Sequence, residues 1–511
     1  MKRFLKWVAI VVGTLVLLIA LLVGSLVAWL KWSSDRDWKA AAAELKAKGE
    51  KLTFAELVPP MPPESENFFA DPLWTGYSDL VRQTNSYGME KLVPRLPSDQ
   101  QPLWLWQKVP LSAQELEQLA QMTGKATSSP APDRISAFGD LRSLNYKETN
   151  VDKKKAEAEL MLQILAPASD TFAHVAELAK RPSAQFPLHY DLLAQEGTIP
   201  DLSVLNPILK LSQLIMKRAM CELLLGKNAE AAADTATLLR LSFILENQPI
   251  LISLLVRIST TDLALASLNQ GIADHAWNTD QLAEFQSLLG RIDLQKSLLF
   301  SLRGERIFFR ESLKSNIRSP AGLLSSLVYH GWVLLLEKDS AFHALSTQDA
   351  LEKLGDRITN TGWNSTNSTP FKSEQDTLAK NPFHRVMSML VVLSIQFVDG
   401  SIEKAAEYQT LVEQSLIACA SERYRLSHGS YPASLDYLVP QFIAKLPNSP
   451  INGKPMSYAL KQDGTFSLWS VGWNLKSLDG KVGKFRGDGD IVWKEKLPLG
   501  NPPRDTNRKD N

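Results

Sequence analysis

An uncharged apolar run near the N-terminus constrains this chain more than any other feature. No charged side chain occurs between Trp7 and Leu30, and basic residues flank the run on both sides. A helix needs about 20 apolar residues to cross the hydrocarbon core of a bilayer, whereas the apolar part of a cleavable signal peptide has only about 7–15. The sequence therefore predicts an uncleaved signal anchor over residues 7–30. Residues 1–6 would form a cytoplasmic tip, and the remainder would lie beyond the membrane.

The bulk composition limits the classes of protein to which the rest of the chain can belong. A length of 511 residues predicts two or three folded units, and the net charge of +1 shows no basic excess. A nucleic-acid-binding protein usually carries such an excess, so none is predicted as a partner. The two cysteines, Cys221 and Cys419, each lie in an apolar helical pattern. They are either two buried thiols or one disulfide.

Beyond the anchor, the pattern changes from a spacer to stacked helices. Residues 31–110 read as a polar membrane-proximal helix over 33–52, followed by a proline-rich spacer. The spacer is expected to dock onto the folded body through aromatic residues: Phe68, Phe69, Trp74 and Tyr77. Residues 111–380 predict an α-helical ectodomain built from antiparallel hairpins. Stacked helical pairs commonly bind protein partners on a concave face.

Capping signals and apolar periodicity mark individual helices of this ectodomain. Ser112 with Glu115, and Asn278 with Gln281, have the spacing of a capping box. The apolar stretch from Leu323 to Leu336 is shorter than a membrane span, which favours a buried core helix. A longer helix is expected from Pro382 through Leu426, with a break at Gly400.

The C-terminal region carries the most informative order of motifs. Glu422-Arg423-Tyr424-Arg425 is followed by Gly429-Ser430-Tyr431-Pro432, then by Trp469-Ser470-Val471-Gly472-Trp473 and by Gly487-Asp488-Gly489-Asp490. This order resembles the C-terminal half of the major pseudopilins of type II secretion systems. The resemblance implies a long helix ending in an RY…GxYP corner, a short helix, and a small antiparallel sheet carrying an acidic loop. It also implies a bacterial inner membrane.

The N-terminus departs from that family. Pseudopilins carry a cleavage glycine followed, at the fifth position after the cut, by a glutamate. Gly13 and Gly24 both lack this glutamate. The fold class expected is mainly α: a transmembrane helix, a helical-hairpin ectodomain, and a small α+β pseudopilin-like module over residues 381–496. Residues 497–511 are expected to form a disordered tail.

Two groups of residues are candidate sites. The resemblance implies a calcium-stabilised loop, for which Asp479, Asp488 and Asp490 would be the carboxylate ligands. The alternative is a solvated glycine-rich turn without an ion, since several lysines lie nearby. The second group is Arg303, Arg306 and Arg310, which share one helical face and could bind a carboxylate or phosphate. The alternative is a solvated face with ion pairs local to the helix.

Motifs of the common enzyme classes are missing from the sequence. There is no phosphate-binding loop, no dinucleotide fingerprint, no zinc-protease motif and no Gly-x-Ser-x-Gly. The first hypothesis is therefore a membrane-anchored, non-enzymatic interaction or assembly protein of the bacterial envelope, linked to a secretion-like system. One alternative is an envelope hydrolase with its site in a helical cleft. Another is a calcium-stabilised binding module.

Overall fold

The protein is mainly helical. Its structure, a computed structural model, describes residues 2–74, 80–84, 90–94, 112, 114–115, 117–118, 151–186, 204–315, 323–364, 389–482 and 489–493. The α-helices are α1 (Lys2–Ala47), α2 (Phe54–Leu57), α3 (Val151–Leu165), α4 (Ser169–Leu178), α5 (Leu205–Leu224), α6 (Asn228–Leu241), α7 (Leu251–Ala273), α8 (Thr279–Leu289), α9 (Leu294–Ser315), α10 (Leu323–Asn360) and α11 (Met389–His428). The strands are β1 (Leu80–Thr84), β2 (Glu90–Pro94), β3 (Ser457–Leu460), β4 (Phe466–Ser470) and β5 (Ile491–Val492).

The apolar run lies within α1, which is long and apolar enough to cross a membrane. The separate helix predicted over 33–52 is instead the continuation of α1, because good helix formers follow Leu30 without a breaker. The helix ends at Ala47, and Gly49 then takes a φ of +78°, which a glycine adopts without steric cost. The described part of the apolar run is exposed up to Trp29, and burial against the body begins at Leu30.

The spacer after α1 is docked onto the helical body, as its aromatic residues predicted. Phe68, Phe69 and Trp74 are buried, and the ring of Phe69 packs edge-on against Phe186 at 5.3 Å. The amide group of Asn67 donates to the carbonyl of Gln185 at 2.9 Å. Tyr77 lies outside the described residues.

Short turns join the helices of the body into antiparallel pairs. Both predicted capping boxes are confirmed: Ser112 and Glu115 exchange bonds of 2.7 and 3.2 Å, and Asn278 and Gln281 exchange bonds of 2.9 Å. Helix α7 packs on α5, α6 and α11. Both Cys221 and Cys419 are buried free thiols, so no disulfide joins them.

The C-terminal region combines a long helix with a small sheet. Helix α11 continues through Gly400 without the expected break. After it come a 3₁₀ helix at Leu435–Leu438 and an antiparallel sheet with strand order β3-β4-β5. Buried side chains of this region, including Leu468 and Trp493, belong to the same apolar core as those of the helical body. The boundary predicted at residue 381 lies outside the described residues, as does the tail over 497–511.

The polar composition of residues 359–369 favours an exposed loop, but Gly362, Trp363 and Asn364 are buried. Asn364 is only 1% exposed, and its side chain donates to the carbonyl of Trp473. The backbone N–H of Trp363 donates to the carbonyl of Pro450 at 2.9 Å. The end of α10 is therefore fastened to the C-terminal region.

Candidate functional site

The predicted arginine face lies at the junction between the anchor helix and the body. Arg303 and Arg306 both bind the carboxylate of Glu50, which lies three residues after the end of α1. Arg303 Nε lies 3.0 Å from Oε2, and Arg306 Nη2 lies 2.9 Å from the same oxygen. The Glu50 side chain is 8% exposed. Burial by itself would raise the pKa of Glu50, but hydrogen bonds from Arg303 and Arg306 outweigh it and hold the pKa below its ordinary value.

The third arginine extends this junction towards the apolar run of α1. Arg310 lies over the ring of Trp38, 4.5 Å from its centroid, and donates to Ser340 Oγ at 2.9 Å. We call Glu50, Arg303, Arg306 and Arg310 together the junction clamp. It joins α1, α9 and α10.

The clamp differs from both interpretations of the arginine face. Arg306 and Arg310 are buried, so this is not a solvated face, and the ion pairs connect residues far apart in sequence. Two of the three arginines do bind a carboxylate, but it belongs to the same chain. Binding of an external anion here stays a prediction. Because guanidinium groups form directional bonds with carboxylates, the clamp can fix the angle between the anchor and the body.

The acidic loop is organised around one buried aspartate. Asp490 is 4% exposed, and its Oδ2 accepts the backbone N–H groups of Leu478 at 2.9 Å and Gly480 at 2.7 Å. Its other oxygen, Oδ1, is buried without a hydrogen-bond partner in the described structure. Asp479 is exposed and has a φ of +54°. Asp488 lies outside the described residues, and those described contain no group of three or more metal-ligating side chains.

A polar cluster that sequence reasoning missed joins the C-terminal region to the body. The Glu422 side chain on α11 is fully buried and accepts bonds from Arg425 at 2.7 Å, from the Tyr431 hydroxyl at 2.7 Å, and from His275 Nδ1 at 3.0 Å. Burial would raise the pKa of Glu422, but the hydrogen bonds from Arg425, Tyr431 and His275 lower it. The spacing of Arg425 and Tyr431 hinted at this cluster, but no local pattern points to His275.

A second buried carboxyl, that of Glu222, has a raised pKa, in contrast to the lowered pKa of Glu422. Glu222 lies on α5 beside the ion pair of Arg218 and Asp234, whose Nε and Oδ2 atoms are 2.6 Å apart. Burial, followed by the charge of Asp234, raises the pKa of Glu222 to about 8. A carboxyl with such a pKa is protonated at neutral pH and can donate a proton, a property common among catalytic acids.

A cleft of about 390 Å³ opens in the C-terminal region, away from Glu222. It is lined by residues of α11, the 3₁₀ helix and the loops before and at β3, and its titratable side chains are Asp436 and Tyr458. The raised carboxyl and the cleft thus lie on different elements. Burial raises the pKa of Tyr458 at the cleft wall to about 12, whereas Glu222 is not among the residues that line this cleft.

Comparison with known proteins assigns neither a family nor a function to this chain. No protein family, no curated protein and no solved structure matches this chain.

Proposed function

We propose that this protein is a single-pass protein of the bacterial inner membrane whose extracytoplasmic body serves as a non-enzymatic assembly or interaction scaffold. The observation that carries the proposal is the continuity of α1 from the apolar run into the body, where the junction clamp holds it. A flexible tether would let the body take any orientation, whereas a clamped helix presents the same surfaces to neighbouring membrane proteins. Such fixed presentation suits assembly more than turnover of a diffusing substrate.

A link to a secretion-like system rests on the C-terminal region. Its order of long helix, short helix, three-stranded antiparallel sheet and acidic loop supports a module similar to a pseudopilin head. Fold similarity does not by itself carry function. The proposal therefore places the module as a docking part of a larger membrane protein and not as a fibre subunit, in keeping with the missing cleavage motif.

The membrane part of the proposal is tested by fractionation and topology. The full chain, expressed in a Gram-negative host, should remain in the membrane pellet after alkaline carbonate washing. Alkaline phosphatase fused to the C-terminus should be active, because that enzyme folds only outside the cytoplasm. Release into the soluble fraction, or an inactive fusion, would contradict the assignment.

The scaffold part is tested by crosslinking in intact cells before purification from solubilised membranes. Wild-type protein should capture a reproducible set of membrane proteins. Glu50→Ala, which keeps the anchor but breaks the clamp, should capture less. Glu44→Gln changes an exposed glutamate near the end of the same helix and serves as the matched control. If wild type yields no specific stable partner, the scaffold proposal fails.

A calcium-stabilised module is the second candidate, and the unpartnered Oδ1 of Asp490 favours it. A hard cation takes oxygen ligands from carboxylates, carbonyls and water. Asp490 would supply Oδ1, with Asp479 and Asp488 as its carboxylate partners. The ion would then stabilise the fold by binding to the native state.

Thermal unfolding with calcium and with chelator tests this candidate. Wild type should melt higher with calcium, and the double variant Asp488→Ala, Asp490→Ala should lose that increment. Asp463→Asn, an exposed aspartate in the turn between β3 and β4, should retain it. The calcium-dependent rise in melting temperature is compared, so differences in the variants' basal stability do not affect the result. Equal rises in wild type and the double variant would rule out the loop as the calcium site.

A further inference from the structure

Helix α10 runs parallel to the anchor helix α1, its main helical neighbour. Two contacts along the pair establish the direction. Near the membrane, Arg310 bridges Trp38 on α1 and Ser340 on α10. Further out, Lys48 lies 3.0 Å from Glu352. Trp38 and Lys48 are ten residues apart, and Ser340 and Glu352 are twelve residues apart. Both helices therefore run away from the membrane in the same direction, at about 1.5 Å per residue.

This register places the start of α10 level with the outer half of the apolar run. Leu324 precedes Ser340 by the same sixteen residues by which Leu22 precedes Trp38. Both leucines therefore lie about 24 Å below the Arg310 contact along straight helices. Leu22 is 71% exposed, and Val23, Leu26 and Val27 on the face that continues from Leu30 are exposed as well, so α10 lies level with this part of α1 without packing against it.

The composition of the two helices changes at the same height. On α1, the uncharged run gives way to Asp35-Arg36-Asp37; on α10, the uncharged stretch from Leu323 to Leu336 gives way to Glu337-Lys338-Asp339. The contact register pairs these two charged triplets residue for residue. The same register places Trp332 level with Leu30, between Trp29 and Trp32. Tryptophan and charged residues mark the boundary between hydrocarbon and water, so both helices show that boundary at one level.

We infer that the first part of α10, Leu323 to Leu336, is a second membrane-embedded segment that enters the outer leaflet level with the outer half of the anchor. The inference rests on the proposed membrane anchoring by α1. The acyl chains of the bilayer would surround this segment, because it lies level with a lipid-embedded helix and is equally free of charge. Two parallel helices, joined by the clamp, would then set the body directly against the membrane surface.

Depth-dependent fluorescence quenching of the full chain tests the inference. Leu324→Cys is labelled with bimane and the protein is reconstituted into phosphatidylcholine vesicles. The quenchers are dibromo-phosphatidylcholine, which acts from within the acyl region, and aqueous iodide. Leu22→Cys is the matched control at the same height on α1, and Lys353→Cys is the water-exposed control further along α10. Wild type is the blank, since Cys221 and Cys419 are both buried.

The expected result is that bromolipid quenches the Leu324 label as strongly as the Leu22 label, while iodide quenches only the Lys353 label. Quenching at Leu324 by iodide, with Leu22 still quenched by bromolipid, would overturn the inference and leave the anchoring intact. Quenching at Leu324 by neither agent would show that protein covers the segment and would overturn it too. Failure of bromolipid to quench the Leu22 label would refute the anchoring itself, and the inference with it.

Discussion

A buried histidine near the junction clamp makes folding sensitive to acid. His343 on α10 is 7% exposed and stacks on Phe309 with ring centroids 4.1 Å apart. Burial, followed by the charge of Arg306, lowers the pKa of His343 to about 4. An unfolded chain binds this proton below about pH 6.5. The stability contributed by the neutral imidazole is therefore complete above that pH and is lost as the pH falls towards 4.

The unfolding free energy of wild type should therefore depend more steeply on pH than that of a variant without this imidazole. Between pH 6.5 and 4, wild type should lose up to about 3 kcal/mol more unfolding free energy than His343→Leu. Denaturant unfolding at several pH values measures the difference. His174→Leu removes a half-exposed histidine that pairs with Asp71 and measures the effect of losing an imidazole elsewhere in the protein. Parallel curves for wild type and His343→Leu would contradict the assignment.

Glu222 predicts the opposite trend in a higher pH range. Its raised pKa of about 8 means that the folded protein holds a proton which the unfolded chain releases above about pH 4.5. Stability should therefore fall as the pH rises from 4.5 to 8. Glu222→Gln should remove this fall, so its advantage over wild type should grow by roughly 1–3 kcal/mol across the range. Glu159→Gln, at an exposed position on the neighbouring helix α3, is the control. An advantage of Glu222→Gln that does not change with pH would refute the prediction.

At the scale of elements, the packing of α9 against the turn before α7 depends on one glycine. A Cβ atom added at Gly304 would lie 1.6 Å from the carbonyl oxygen of Pro249. That oxygen belongs to backbone and cannot move aside without shifting the turn. Gly304→Ala should therefore destabilise the protein by about 2 kcal/mol or more.

Gly355 on α10 offers a matched substitution for this measurement. A Cβ atom there would meet nothing within 4 Å. Gly355→Ala should stabilise the protein by about 0.5–1 kcal/mol, because alanine loses less backbone entropy in a helix. Thermal unfolding of the two variants should shift in opposite directions. A neutral Gly304→Ala would mean that the two elements are further apart than described.

At the scale of the whole molecule, the Glu422 cluster should make the C-terminal region and the helical body unfold together. Glu422→Gln removes the charge that Arg425 holds and should cost about 2–4 kcal/mol. Because both parts share one apolar core, the loss should lower a single cooperative transition. Differential scanning calorimetry measures it, with the exposed Glu177→Gln as control. A separate early transition would show that the C-terminal region unfolds independently.

Much of the local structure could be predicted from the sequence. The apolar anchor helix, both capping boxes and the docking of Phe68, Phe69 and Trp74 follow from patterns a few residues long. Helix ends were less predictable. Gly271, a residue that disfavours helices, lies inside α7, which continues to Ala273, and a Cβ atom added there would lie 2.0 Å from the ring of Trp277. Tertiary packing thus outweighs the low helix propensity of glycine, which is about 1 kcal/mol less favourable than that of alanine.

The candidate site, too, could be predicted from the sequence only in part. That Arg303, Arg306 and Arg310 share a helical face could be predicted from their spacing, since it follows from a period of 3.6 residues. Local patterns did not predict that Glu50 is the anion of Arg303 and Arg306, that His275 reaches Glu422, or that α10 packs along α1 with Glu352 beside Lys48. Helical periodicity reflects contacts over a few residues, whereas these pairings depend on how helices distant in sequence pack together, which no local pattern encodes.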